Sequence, residues 1–84
     1  MDKQLVGKAF GRVMREARLA ANISQEALAL DSGIDRSYVS ILERGVRQPS
    51  LALIFAICPT LGVSPAQLVA RTAHLVAKGH VRGK

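Results

Sequence analysis

Apolar residues recur every three or four positions along most of the chain. In the first segment Phe10, Met14, Ala17 and Ala21 fall at i, i+4, i+7 and i+11, and Lys8, Arg12, Arg15 and Glu16 lie off that stripe. This is the repeat of a helix with one buried face. It predicts a helix from about Lys3 to Ala21, closed by Asn22, a residue that tolerates the left-handed conformation of helix ends. Ser24 opens a second helix that runs to about Ser32, and Gly33 interrupts it. Asp35 is placed to cap a third helix, which reaches about Glu43 with Val39 and Leu42 facing inward. The stretch RGVRQP, residues 44–49, has the glycine and proline of a loop. Ser50 caps a fourth helix over SLALIFAICPTL, ended by Gly62. In SPAQ (64–67) a cap, a proline at the first helical position and a glutamine at the third open a fifth helix that extends to about Lys78. Residues 79–84 read as a frayed basic tail. No segment alternates with period two, so no sheet is expected.

The pattern therefore predicts an all-α chain of five helices, one domain over residues 1–84 with its core at about 5–72. One position resists. Pro59 lies inside the fourth helical pattern, where it cannot donate a hydrogen bond to the Phe55 carbonyl and its ring crowds that group. The expectation is a kink or stop near Cys58.

The second and third helices form a distinct unit. Ala29 is small where the two must approach most closely, and Gly33 permits the positive φ of a tight turn. Ile34, Val39 and Leu42 lock the second helix of the pair across the first. What remains bare on the third helix is a face of Arg36, Ser37, Ser40, Ile41 and Arg44. This is a helix-turn-helix, whose second helix is shaped to enter a DNA major groove.

Composition sharpens the picture. The 84 residues suffice for one compact domain, and with only Phe10, Tyr38 and Phe55 as aromatics the core must be aliphatic and alanine-rich. Twelve Lys and Arg against six Asp and Glu leave a net charge of +6, a bias that suits a polyanionic partner. All six acids lie at or before Glu43. Cys58 is the single cysteine, so no intrachain disulfide can form, and no Cys/His spacing indicates a metal. No cofactor is expected. The acids Glu16, Glu26, Asp31 and Asp35 are scattered over helix surfaces and caps, and His74 and His80 have no acid near them in sequence, so an enzyme is not expected. The opening MDKQLVGKAFGR lacks the apolar run of a signal peptide and no stretch is long enough to span a membrane, so the chain reads as cytoplasmic.

The segments SQEALA (24–29), SGIDRSYVS (32–40), LERGVRQPS (42–50) and LGVSPAQL (61–68) resemble the lambda-repressor/Cro family, the XRE-like helix-turn-helix domains. The resemblance covers roughly residues 5–70. The wording DRSYVS with ERGVRQPS is most similar to small single-domain regulators, which include the controller proteins of restriction–modification systems. It implies a sequence-specific transcriptional regulator that binds double-stranded DNA. By the same resemblance Gln25 contacts a phosphate and steadies the recognition helix, and Arg36, Ser37, Tyr38, Ser40 and Ile41 occupy the reading positions. Arg36 is the foremost candidate for base readout, because a guanidinium can bridge guanine O6 and N7. Arg44, Arg47 and Gln48 fall where the family's loop follows the DNA backbone. Arg18 and Glu43 match a structural ion pair of the family.

Two departures from the family stand out. Ile41 replaces a usually polar or basic residue; it either meets a thymine methyl or packs against Tyr38 or the loop. The fourth helix carries Ala52, Leu53, Ala56 and Pro59 where polar groups are usual, and with Phe55 these make a larger apolar surface than a monomer should expose. This predicts a homodimer through Leu53, Phe55, Ala56, Leu68, Val69 and Thr72, reading a two-fold symmetric operator. The main rival is a protein-binding module such as an antitoxin, which need not keep Gln25, Arg36, Arg44 and Arg47 together on one side. Membrane binding by the basic first helix and RNA binding without an aromatic platform are weaker readings.

Overall fold

The computed structural model describes residues 2–79 and contains five helices. They are α1 (Lys3–Ala20), α2 (Gln25–Ser32), α3 (Arg36–Glu43), α4 (Leu51–Leu61) and α5 (Pro65–Lys78). No strand occurs among the described residues. Of the tail expected over 79–84, only Gly79, which closes α5 in a left-handed conformation, lies within them.

Serines start three of the helices. Ser24, Ser50 and Ser64 each accept a hydrogen bond on Oγ from the backbone N–H three residues on, at 3.0 Å. Ser64 and Gln67 complete a reciprocal capping box. Asp2 caps α1 through the N–H groups of Gln4 and Leu5. Asp35 departs from expectation: it occupies the N-cap position of α3 with extended backbone, but its carboxylate makes no capping hydrogen bond.

The helix ends share one device. Asn22, Gly33, Gly45 and Gly62 all take positive φ and are followed by Ile23, Ile34, Val46 and Val63. The N–H of each of these apolar residues donates to a carbonyl five residues back, as in Ile34 to Ala29 at 3.0 Å and Val46 to Ile41 at 3.2 Å. That bond satisfies a helix-end carbonyl and turns the chain sharply. Ile23, Ile34 and Val63 then pack against the core. Val46 does not, and stands 65% exposed.

The core is a single cluster that joins all five helices, with Met14, Leu28, Leu42, Ile57 and Leu68 at its centre. Long α1 packs chiefly on α5 and α3, and α2 lies between α3 and α4.

Two expectations are corrected here. Helix α4 neither stops nor breaks at Pro59 but continues to Leu61. Pro59 and Phe55 both lie on the exposed side of α4, where a missing backbone donor costs less than in the core. Leu53, Leu68 and Thr72, assigned above to a dimer interface, are buried within one chain. Leu53 and Leu68 belong to the core cluster, and the Thr72 hydroxyl donates to the Leu68 carbonyl at 2.9 Å. The outward face of α4 consists instead of Leu51, Ala52, Phe55, Ala56 and Pro59, and Val69 is its exposed neighbour on α5.

Among the described residues no single helix is long and apolar enough to cross a membrane. The pair α4 and α5 passes that test only together, and the two are bent by 109° at their junction.

Candidate nucleic-acid interface

Helix α3 is held from three sides. Val39 and Leu42 are fully buried beneath it, and Tyr38 is half-buried against the same core. Its C-terminal end is fixed by an ion pair. Arg18 Nε donates to Glu43 Oε2 at 2.7 Å and Nη2 donates to Oε1 at 3.0 Å. This fork-to-fork geometry is the strong form of the interaction. Arg18 Nη1 also donates to the Ile23 carbonyl at 2.9 Å, so one guanidinium ties α1, the α1–α2 turn and α3. The side chains are only 9% and 3% exposed. The Glu43 hydrogen bond, with its charge adding to the effect, holds the Arg18 guanidinium above its ordinary pKa, while burial pulls the other way.

Gln25 joins the same network. Its Nε2 donates to Glu43 Oε1 at 3.1 Å, so the first residue of α2 is tied to the last residue of α3. One amide N–H engages Glu43, and the half-buried side chain keeps its second N–H and its carbonyl for other partners.

The third support is a close backbone approach. A Cβ on Gly11 of α1 would overlap the Leu42 carbonyl and lie 2.8 Å from the Glu43 carbonyl oxygen. Only glycine lets α1 meet the end of α3 at this distance. This contact was not read from the sequence, where a glycine within a helical pattern registers only as a weak point. Its signal is the pair Gly7 and Gly11, four residues apart and therefore on one face of α1.

The opposite side of α3 is open. Arg36 and Ser37 are exposed at its start, and Arg44 is exposed just past its end. Ser40 and Ile41 are half-buried. Arg44 Nε leans back onto the Ser40 carbonyl at 3.3 Å. Because Asp35 does not cap α3, the N–H groups of Arg36 and Ser37 remain open to an anion, while the Tyr38 N–H donates to the Asp35 carbonyl at 3.1 Å. The loop after α3 adds exposed Arg47 and Gln48. Gln48 also has a structural contact, since its Nε2 donates to the Lys3 carbonyl at 2.5 Å. It straps the loop to the start of α1, and the exposed side chain keeps its second N–H and its carbonyl for other partners. Val46, exposed between Arg44 and Arg47, is an apolar member of this surface that the sequence reading passed over.

The electrostatics follow from these contacts. Glu43, the acid next to Arg44 in sequence, is neutralised by Arg18, and exposed Asp35, next to Arg36, belongs to neither of the described ion pairs. Glu16 pairs with Arg12 at 3.2 Å on the outer side of α1. Arg36, Arg44 and Arg47 thus stand without an acidic partner among the described ion pairs. No group of His, Cys, Asp and Glu suited to a metal occurs among the described residues. The arrangement is a rigid helix with a cationic, hydrogen-bonding outer face, flanked by a cationic loop.

Comparison with known proteins gives the same picture. The helix-turn-helix family model matches residues 14–68. The control protein C.BamHI of Bacillus amyloliquefaciens is 44% identical over 61 residues, covering 71% of this chain and 75% of that protein. The crystal structure of the restriction-modification controller protein C.AhdI from Aeromonas hydrophila superposes with a TM-score of 0.77 at 43% identity, over 81% of this chain and 99% of that one. The clp gene regulator ClgR from Corynebacterium glutamicum superposes with a TM-score of 0.83 at 28% identity, over 92% of this chain and 82% of that one. With its five-helix core, its buried Arg18–Glu43 clamp and its open α3 face, the chain belongs to the XRE-like helix-turn-helix family of DNA-binding transcriptional regulators.

Proposed function

We propose that the protein is a cytoplasmic homodimer that binds a two-fold symmetric operator and regulates transcription from it. The observation that carries this reading is the open α3 face. Arg36 and Ser37 stand free at the end of a helix whose other side is locked to the core and to Arg18. In this reading Arg36 contacts a guanine, with Ser37, Ser40, Tyr38 and Ile41 shaping the fit to neighbouring bases. Gln25, Arg44, Arg47, Gln48 and the free N–H groups of Arg36 and Ser37 hold phosphates, and Gln48 also keeps the loop in place. The outward face of α4 supports the dimer, because a helix apolar on every side needs cover. Leu51 is 69% and Phe55 59% exposed there. A two-fold dimer places its recognition helices about one helical turn of DNA apart. The two controller relatives support a role of the same kind in gene control.

The test compares two substitutions. Arg36→Ala should lose about 1–3 kcal/mol on the preferred site and relax selection at one base pair per half-site. Arg47→Ala should weaken binding to every duplex and reduce the salt slope by about one. Equal weakening of all duplexes by Arg36→Ala would remove it from base reading. The apolar α4 face also fits a protein partner, the antitoxin alternative; a chain that captures such a partner but enriches no DNA site would favour that role.

A further inference from the structure

A groove of about 250 Å³ opens where the start of α1, the loop after α3, and helices α4 and α5 meet. Its walls include Val6, Phe10, Gln48, Pro49, Ile54 and Val69. Gln48 is its main polar wall, and the side-chain amide of Gln48 is engaged by the Lys3 carbonyl. An apolar cavity of about 150 Å³ is large enough for a benzene ring, so this groove can take a phenyl side chain. Beside it lies the outward face of α4, on which Phe55 projects 59% exposed.

We propose that this groove is the socket for Phe55 of a second copy of the chain, so that dimer assembly packs directly on the loop that carries Arg47 and Gln48. The inference rests on the homodimer reading above and adds to it a specific contact and a coupling. Charge selects the occupant. The chain carries +6, so two copies repel wherever their surfaces bear charge. No Asp, Glu, Lys or Arg occurs between Arg47 and Arg71, the stretch that supplies α4, the start of α5 and most of the socket. A face without charge offers no attraction to a basic or acidic partner, but it suits a like-charged copy. In a two-fold dimer the exchange is reciprocal, each Phe55 entering the other copy's groove.

The consequence for DNA binding is mechanical. Pro49 and the Gln48 stem form one side of the groove, and Arg47 is the next residue back along the loop. A ring seated against them fixes the loop in the position that the Gln48 bond to Lys3 already favours. Assembly therefore orders a DNA-contacting segment in each half, beyond joining two half-sites.

The experiment mixes full-length Phe55→Cys chains with full-length Val69→Cys chains under mild oxidation. Both positions are exposed and outside the core, and circular dichroism verifies that each variant is folded. Native Cys58 is buried and forms no link. The expected product is a disulfide between the two different chains. Sedimentation of the wild-type chain runs in parallel. A wild-type dimer whose Phe55→Cys chains link only to one another, or form no link, overturns the socket and leaves the homodimer standing. A monomer at all concentrations overturns both. Phe55→Ala should raise the dimer dissociation constant about ten- to a hundredfold and shift the Gln48 side-chain amide resonances relative to the wild-type dimer; unchanged Gln48 resonances overturn the coupling.

Discussion

Replacing Glu43 with alanine tests what holds the recognition helix. The substitution removes both hydrogen bonds to Arg18, at 2.7 and 3.0 Å, and the bond from Gln25 at 3.1 Å. Arg18 would keep only the Ile23 carbonyl. Its side chain is 9% exposed, and an arginine cannot shed its proton at any working pH. A buried charge is thus left without its counter-ion, a loss of about 3–5 kcal/mol. A chain of this length has about 4–13 kcal/mol of stability in all. The melting temperature should fall by more than about 12 °C, given about 4–8 °C per kcal/mol for a domain of this size. Thermal and urea unfolding followed by circular dichroism measure it. The double variant Arg18→Met/Glu43→Leu removes both charges and should recover most of the loss. DNA binding, measured well below the melting point, should be weaker for Glu43→Ala because α3 and Gln25 have lost their common anchor. A loss below about 1 kcal/mol would mean the pair behaves as an exposed one, and the clamp would be refuted.

Other substitutions probe single contacts. Gly11→Ala should destabilise the fold by about 1–3 kcal/mol and weaken operator binding, because the added methyl overlaps the Leu42 carbonyl; wild-type melting and affinity would contradict that close approach. Pro59→Ala should stabilise the chain by only about 1 kcal/mol, because the hydrogen bond it restores to the Phe55 carbonyl lies on the exposed side of α4, read as a slightly higher melting temperature. Burial pushes the Cys58 thiol above its ordinary pKa. The folded state therefore retains the proton longer than the unfolded chain. Its contribution is fully present below pH 9.0 and is lost as pH rises above that value. Cys58→Ala should flatten the alkaline limb of a stability–pH profile relative to wild type, and identical limbs would count against it.

The helices and their ends were readable because local chemistry decides them. Ser24, Ser50 and Ser64 sit directly before apolar runs, and Asn22, Gly33 and Gly62 sit directly after them. The Arg18–Glu43 pair came from resemblance, since two residues so far apart in sequence share no local pattern. Helix α4 defeated a reading by faces for a definite reason. Apolar side chains surround it, so periodicity could not separate inward Leu53 from outward Leu51 and Phe55. Pro59 was misjudged because the penalty of an unpaired carbonyl depends on whether it meets water, which only the packing reveals. That Gln48 also anchors its loop was not legible, because its partner Lys3 lies far from it in sequence.

Symmetric, sequence-specific DNA recognition by a dimer is the core of the proposed function. Selection of bound duplexes from a random pool at moderate salt, with the oligomeric state determined by sedimentation in the same buffer, tests it most directly. The expected result is a dimer and an enriched two-fold symmetric site whose half-site centres lie about one helical turn apart. Weak binding that enriches no sequence and vanishes as salt rises would contradict it, leaving a basic face that holds only the phosphate backbone.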